Sequence, residues 1–420
     1  MAHRFSPRPF ASFLESVTYA TYDEFRSLPG SEVESATAFA EMRTYLLDLY
    51  KGVTVDTSYI ENDGQVIDCI PEDQHPAVRR SNGNVIAAPP AAPPAPESYE
   101  TTPPPFLSPT TTEISGALPR SQYQNGTETR PQDPPGTLPM YRTTLEQLSR
   151  FKNFAAFSAK GRLGGIDASL AEDPPPKRYA TGEQDVGCLG GSSHLNVWKP
   201  FAGAQQWAFS QQWHIAIREG VWMQTVECGW HIDLARYQDA EPHLFVFTTL
   251  RNYNDGQNFY NLDGGLFRPT QNPYVTPGTT RLLFSQTDGT QVAYKMGFYL
   301  TAGAWWFYFD DHPVGCYPLA VFGNGPLTQG ATRIRFGGEV ESRIPFWPPM
   351  GSGSHASAGY GKAAYQRDAL VYPAGGGAVS ANLSEAGSTT GSCYTVGITN
   401  NSASDWGTYL YFGGPGGQPC

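Results

Sequence analysis

From residue 193 onward the chain is a succession of short runs: "SHLNVWKP", "AFSQQWHIAI", "VWMQTVECGWHI", "HLFVFTTL", "RLLFSQT", "QVAYKMGFYL", "AWWFYFD", "TRIRFGGEV", "SCYTVGI" and "TYLYFGG". Glycine, proline, asparagine and aspartate lie between them. Runs this short and this rich in aromatic and β-branched residues read as strands. So many of them in a row predict an all-β fold, a two-sheet antiparallel β-sandwich of jelly-roll type. With 45 Gly, 36 Pro and only 16% charged residues, the composition suits tight turns and not a helix bundle.

The first third differs. "SEVESATAFAEMRTYLLDLYK" (31–51) predicts a helix, with Ser31 and Glu34 as a capping box, apolar residues at 36, 39, 42, 46 and 49, and Gly52 as its stop. "VTVDTSYIENDGQVIDCI" predicts two strands joined around Asn62-Asp63-Gly64. Then "VIAAPPAAPPAPESYETTPPPFLSPTTTE" lacks core-forming residues and reads as an extended or disordered linker. The expected division is a small α+β unit over 1–83, a Pro-rich linker over 84–139 and a β-sandwich over 140–420. Thr143 and Glu146 form a second expected capping box.

A net charge of −11 argues against nucleic acid and anionic membrane as partners. No run approaches the roughly 20 apolar residues of a membrane span. The six cysteines form no CxxC or His/Cys cluster of metal spacing, so neither metal nor other cofactor is expected. The N-terminal "MAHRFSPRPFASFLES" has no signal-peptide stretch, so export would depend on a removed segment.

Two acids stand out. In "QTVECGWHI", strict alternation puts Val226, Cys228 and Trp230 on one face and Thr225, Glu227, Gly229 and His231 on the other. Glu339 sits in "RIRFGGEVES". Charge in mid-strand is costly without partners or a use. Two carboxylates brought together from adjacent strands can hold one proton between them, one activating water and the other protonating a leaving amine. The bland alternative is an ion pair, with Arg333 and Arg335 close by in sequence. Glu341 shares Glu339's face.

Around the pair, Gln211 could donate to an oxyanion and Trp213 could wall a proline pocket; ordinary packing explains both equally well. Gly337 and Gly338 could let substrate backbone approach, or could mark a bulge. Trp305 and Trp306 point to opposite faces, and Tyr360 and Tyr365 suit either substrate contact or packing. Cys228 should be a buried thiol facing away from Glu227. "GSGSH" around Ser354 is not a serine-nucleophile motif, which leaves His231 without a triad.

Taken in order, "DGQVIDCIPEDQHPA", "GTLPMYRTTLEQLSRF", "LNVWKP", "FSQQW", "VECGWHI", "AWWFYFDDHPVGCYP", "IRFGGEV", "MGSGSHASAGYGKAAYQRD" and "WGTYLYFGGPGGQPC" resemble the neprosin family of glutamic peptidases. The resemblance implies a sandwich with one concave catalytic sheet and a prolyl endopeptidase active at acidic pH. It implies catalysis by Glu227 and Glu339 and a pro-region that makes the chain an autoinhibited zymogen; sequence does not assign which glutamate is base and which acid, Glu227 being the first choice for base. It also implies a Cys393–Cys420 pair; Cys188 with Cys228 is a looser expectation. The implied partners are proline-containing peptides and the chain's own N-terminal region, with the protein monomeric and secreted. Residues up to about 130 would cover the site, and acid would release them. The plant members' cysteines are missing near Phe259 and Gly264 and before "GTLP", and the long Ala/Pro linker is unlike theirs. Sequons stand at Asn125, Asn382 and Asn400. Rival readings are a glycoside hydrolase with paired carboxylates and a non-catalytic glycan- or protein-binding sandwich.

Overall fold

The computed structural model describes residues 7–61, 63–83, 86–89, 92–93, 113–115, 133–160 and 177–420, apart from 220–221, 255, 272–274, 280, 388–391, 403 and 419. Most of the expected linker and the sequon at Asn125 thus fall outside the described residues, while residues 113–115 of that linker form a strand.

In the N-terminal region, helices α1 (Phe10–Tyr19), α2 (Tyr22–Arg26) and α3 (Ala36–Leu49) precede strands β1 (Thr57–Ile60) and β2 (Val66–Pro71) and helix α4 (Pro76–Arg80). Helix α3 buries Ala38, Phe39, Met42, Leu46 and Leu49, the stripe its spacing predicts. Its start differs from the expectation. Ser35 is the N-cap and accepts from the Ala38 amide. Ser31 instead donates to Ser149 O, and Glu34 accepts from Asn153 Nδ2 at 2.8 Å. A tertiary contact therefore took the residues that a local capping box would have used. β1 and β2 form the expected antiparallel hairpin.

Strand β3 (Glu113–Ser115) is followed by β4 (Thr137–Tyr141), α5 (Leu145–Leu148) and α6 (Phe154–Ser158). β4 pairs antiparallel with β2, making a three-stranded sheet in the order β1-β2-β4. So "GTLPMY", expected to straddle the entry to the sandwich, completes the N-terminal sheet. The capping box of α5 is Thr144 with Gln147, one position later than expected.

Two sheets follow. In chain order the strands are β5 (Lys177–Cys188), β6 (Gly190–Asn196), β7 (Gln206–Arg218), β8 (Trp222–Ile232), β9 (His243–Thr249), β10 (Asn258–Tyr260), β11 (Arg268–Pro269), β12 (Gln291–Thr301), β13 (Ala304–Phe309) and β14 (His312–Pro318). Helix α7 (Leu234–Tyr237) lies between β8 and β9. The remaining strands are β15 (Ala331–Ser342), β16 (Ala364–Val371), β17 (Val379–Ser380), β18 (Ser384–Ala386), β19 (Thr395–Thr399) and β20 (Tyr409–Gly413). One sheet runs β10-β9-β8-β7-β15-β5-β18; the other runs β11-β14-β13-β12-β6-β16-β20-β19, with β17 beside β16 and β3 parallel to β12. The all-β expectation holds, with one exception among the runs. "RLLFSQT" makes only an isolated bridge at Arg281, and the Ser285 amide bonds Val197 O.

Between the sheets lies a continuous apolar core that includes Val226, Cys228, Trp230, Trp305, Phe336 and Val340, and it extends into the N-terminal unit through Met42, Leu46 and Tyr141. The alternation in "QTVECGWHI" is therefore as read: its apolar residues face this core. Cys393 and Cys420 are disulfide-bonded. Cys188 and Cys228 are buried thiols not bonded to each other, which corrects that expectation; burial raises both.

Candidate active site

Glu227 lies on β8 and Glu339 on β15, and β7 runs between them, so the two strands are not adjacent as expected. Register sets the pattern on the face away from the core. Glu227 stands opposite Trp213, Glu339 opposite Phe209, and Gln211 lies on β7 midway between these two positions. Gln211 is itself flanked by glycines, Gly229 on β8 and Gly337 on β15. The middle row of this face thus carries one side chain with a bare strand on either side. The two glutamates reach toward it diagonally from opposite corners.

The glycines have definite reasons. A Cβ on Gly229 would meet Ser210 O at 2.1 Å, so β7 could not approach so closely with any other residue there. Gly337, at φ +137°, would drive a Cβ to 2.4 Å from Ala180 O. Gly338 points the other way: its Cβ would meet Met350 Sδ and the Phe412 ring within 2.7 Å. It makes room for the core, and the expectation that substrate approaches it is wrong.

Glu227 and Glu339 are buried, 0% and 1% exposed, and both are fully engaged. Glu227 accepts from Thr225 Oγ1 at 2.7 Å, from the Tyr253 hydroxyl and from the Lys160 ammonium. Glu339 accepts from Gln211 Nε2 at 2.6 Å and from the Lys177 ammonium. Lys160 also donates to Gln211 Oε1 and lies 3.9 Å from Glu339. The chain of contacts is Glu227–Lys160–Gln211–Glu339, and the acids do not share a proton directly as the sequence suggested. Arg333 and Arg335, the expected ion-pair partners, bind Asp185 and Glu183 instead. Glu341 lies 3.6 Å from the Lys177 ammonium and 3.7 Å from the Arg343 guanidinium.

Electrostatics follow from burial. Burial pulls Lys160 below the ordinary lysine range against the attraction of Glu227 and Glu339. For Lys177 burial, the largest influence, disfavours charge, but Glu339, Tyr179 and Glu341 together outweigh it and the net shift is upward. Tyr253 is pushed well up by burial and then by Glu227, so its hydroxyl stays a donor. An aromatic lining surrounds the pair: the rings of Phe209, Trp213, Phe245 and Phe247 lie 5.2–5.4 Å from Lys160 Nζ. Trp213 Nε1 and the Tyr179 hydroxyl are buried there without a hydrogen-bond partner.

Of the residues expected at a site, Glu227, Glu339, Gln211, Trp213 and Gly337 come together. Tyr360 does not. With Tyr365 and Trp406 it forms a separate aromatic cluster packed on the other sheet. Trp305 is in the inter-sheet core, and Trp306 packs under Ile86 and Ala92. His231, held neutral by burial, bonds the Tyr237 hydroxyl at 2.8 Å. Sequence reasoning missed Lys160, Lys177 and Tyr253. Lys177 was findable, since alternation on β5 pairs it with Glu341 and Tyr179 with Glu339; Lys160 and Tyr253 arrive from loops and leave no periodic signal. Among the described residues no group of three or more His, Cys, Asp or Glu side chains could hold a metal ion.

An aromatic-lined sheet face carrying two buried carboxylates is an arrangement that suits hydrolysis. The neprosin sequence profile matches residues 204–415, and the chain belongs to the neprosin family. That membership supports a peptidase of the glutamic type. Solved structures with a similar fold include SCP-B, a member of the eqolisin family of peptidases, in complex with the tripeptide Ala-Ile-His (10% identity, 57% of this chain and 98% of that one, TM-score 0.32). Another is scytalido-glutamic peptidase with a transition-state analogue inhibitor (10% identity, the same coverages, TM-score 0.33). A carbohydrate-binding module from Bacillus subtilis is matched at 7% identity over 42% of this chain and 88% of that one, with a TM-score of 0.21.

Proposed function

We propose that this protein is a glutamic endopeptidase that hydrolyses peptide bonds, preferentially after proline, at acidic pH. It is made as a zymogen and exported to an oxidising compartment. The observation that carries the reading is the placement of Glu227 and Glu339, both buried, at the two ends of one Lys160–Gln211 bridge. The Cys393–Cys420 bond fits an oxidising compartment.

Charge counting supports an allocation of roles. As it stands, Glu227 and Glu339 face two ammonium groups, those of Lys160 and Lys177, while Glu341 beside Lys177 has the Arg343 guanidinium 3.7 Å away to balance it. Without Lys160, one resident cation remains, on Glu339, and one proton restores the balance. That proton belongs on Glu227, which has hydroxyls and not an ammonium beside it. Glu339 is then the base that takes a proton from the attacking water. Glu227 is the acid that protonates the departing amine, the reverse of the first choice made from sequence. Gln211 Nε2, between them, orients the water or donates to the tetrahedral oxyanion. A pair that works with one proton loses it as pH rises, so activity belongs to the acid side.

The proline preference rests on the family and on the aromatic lining: flat rings offer a proline ring an apolar wall and ask for no hydrogen bond. The test is hydrolysis of proline-containing peptides at pH 3 to 4, run beside a polysaccharide panel. Cleavage of peptides C-terminal to proline is the expected result; turnover of a polysaccharide with peptides intact would replace this reading with a glycosidase.

A further inference from the structure

Lys160 decides whether anything can react. Its ammonium contacts Glu227 and Gln211 and lies 3.9 Å from Glu339, filling the place between the carboxylates where an attacking water must sit. Its backbone carbonyl accepts from Lys177, the cation that also holds Glu339. Three residues earlier, Phe157 O accepts from the buried Arg236 guanidinium, which stacks 4.4 Å from both the Phe157 and Tyr260 rings. The segment is thus bound in the cleft at both ends.

That segment belongs to the N-terminal unit. β4 is the third strand of the N-terminal sheet. The amides of Glu32 and Glu34 donate to Ser149 O and Lys152 O at 2.8 and 3.0 Å. Asn153 bonds Glu34 and caps α6, and the Tyr45 and Phe154 rings stack at 4.3 Å. Everything from residue 133 to Lys160 is therefore built into the same body as α3, whereas Lys177 opens β5 of the sandwich. A break in the Pro-rich linker would divide the N-terminal unit and still leave Lys160 where it is.

We infer that Lys160 is the inhibitory group of the zymogen, and that the chain must be cut on the C-terminal side of Lys160, before Lys177, to open the cleft. This rests on the peptidase reading above. The step is an ordinary hydrolysis: water adds across one backbone amide, its hydroxyl to the carbonyl carbon and its hydrogen to the nitrogen, and the C–N bond breaks. With its own cleft filled, a chain is cut by an already opened copy or by another peptidase. Afterwards Lys160 leaves with the N-terminal body and Lys177 stays on Glu339.

The test uses the full chain with a specific protease site placed either within residues 95–112 or between Lys160 and Lys177. Two readouts follow: hydrolysis of a proline-containing peptide at pH 4, and acetylation of Lys160 by an amine-reactive reagent, read by mass spectrometry. A cut after Lys160 should raise hydrolysis by ~10²-fold, as for a cleft shut in about 99 of 100 molecules, and should expose Lys160 to acetylation. A cut in the linker should leave both at the level of the intact chain, and full activity after it would overturn the inference. The uncut Lys160→Gln chain should exceed the uncut wild type about 10-fold; equal silence would show that the ammonium is not the lock. If Lys160 becomes reactive only after the second cut and yet no peptide is hydrolysed, the plug stands and the peptidase reading fails.

Discussion

At the scale of the residue, the site is explained by which charges remain once the cleft is open. Lys177 is fixed to the sandwich; burial disfavours its charge, and Glu339, with Tyr179 and Glu341, turns the net shift upward. Lys177→Met should therefore move the acid limb of kcat/KM to higher pH by ~1 unit or more, because a base that loses an adjacent cation ionises less readily. A pH–rate profile of processed enzyme measures it, and an unmoved limb would assign the base elsewhere. Gln211→Ala removes a donor aimed between the carboxylates and should cost ~10²-fold in kcat with a smaller change in KM. Of the two lysines, only Lys177, at the start of β5, carried a sequence signal. The two glutamates and Gln211 were legible because alternation in their three strands assigns their faces and the family resemblance picks Glu339 over Glu341; Lys160 was not, because a loop lysine carries no mark of its destination.

At the scale of the element, the N-terminal unit has an acid-sensitive joint. His75 caps α4, its Nδ1 accepting from the Ala77 amide, and is wholly buried. Burial lowers it to about 3, with the Pro139 backbone of β4 opposing that only in part. A histidine held neutral in the folded state loses its contribution as pH falls from its ordinary 6.5 toward about 3. Between pH 6 and 4 the unit should lose about 1.4 kcal/mol of stability per pH unit from this group. His75→Asn keeps a capping acceptor and should flatten that slope in the hydrogen exchange of β1, β2 and α4. His214, in the sandwich core and lowered to about 4 by burial, keeps its own acid dependence in the variant. At the far end, Cys393–Cys420 closes a loop with a sequence separation of 27. Replacing both with serine should cost ~3–4 kcal/mol of sandwich stability, read by urea unfolding. The disulfide was legible through family resemblance; the shifted helix caps at Ser35 and Thr144 were not, because partners far along the chain competed for the same side chains.

At the scale of the whole molecule, the sandwich could be read from its runs of short strands, with only "RLLFSQT" misassigned. What sequence could not give was the order of strands in the sheet that carries the two glutamates. That order inserts β7 between the two acids and makes Gln211 the link between them. Nor could it give the path of residues 133–160. A Pro-rich stretch suggests a domain boundary, yet β4 and α6, beyond that stretch, are tied back into the N-terminal body by long-range pairing. The most direct test of the glutamate pair compares processed wild type with Glu227→Gln and Glu339→Gln, each cut after Lys160, on one proline-containing peptide at pH 4. Each variant should fold, lose Lys160 from the cleft and fall by at least ~10³-fold in kcat/KM. A variant that keeps wild-type hydrolysis would remove its glutamate from the chemistry and contradict a mechanism in which both move protons.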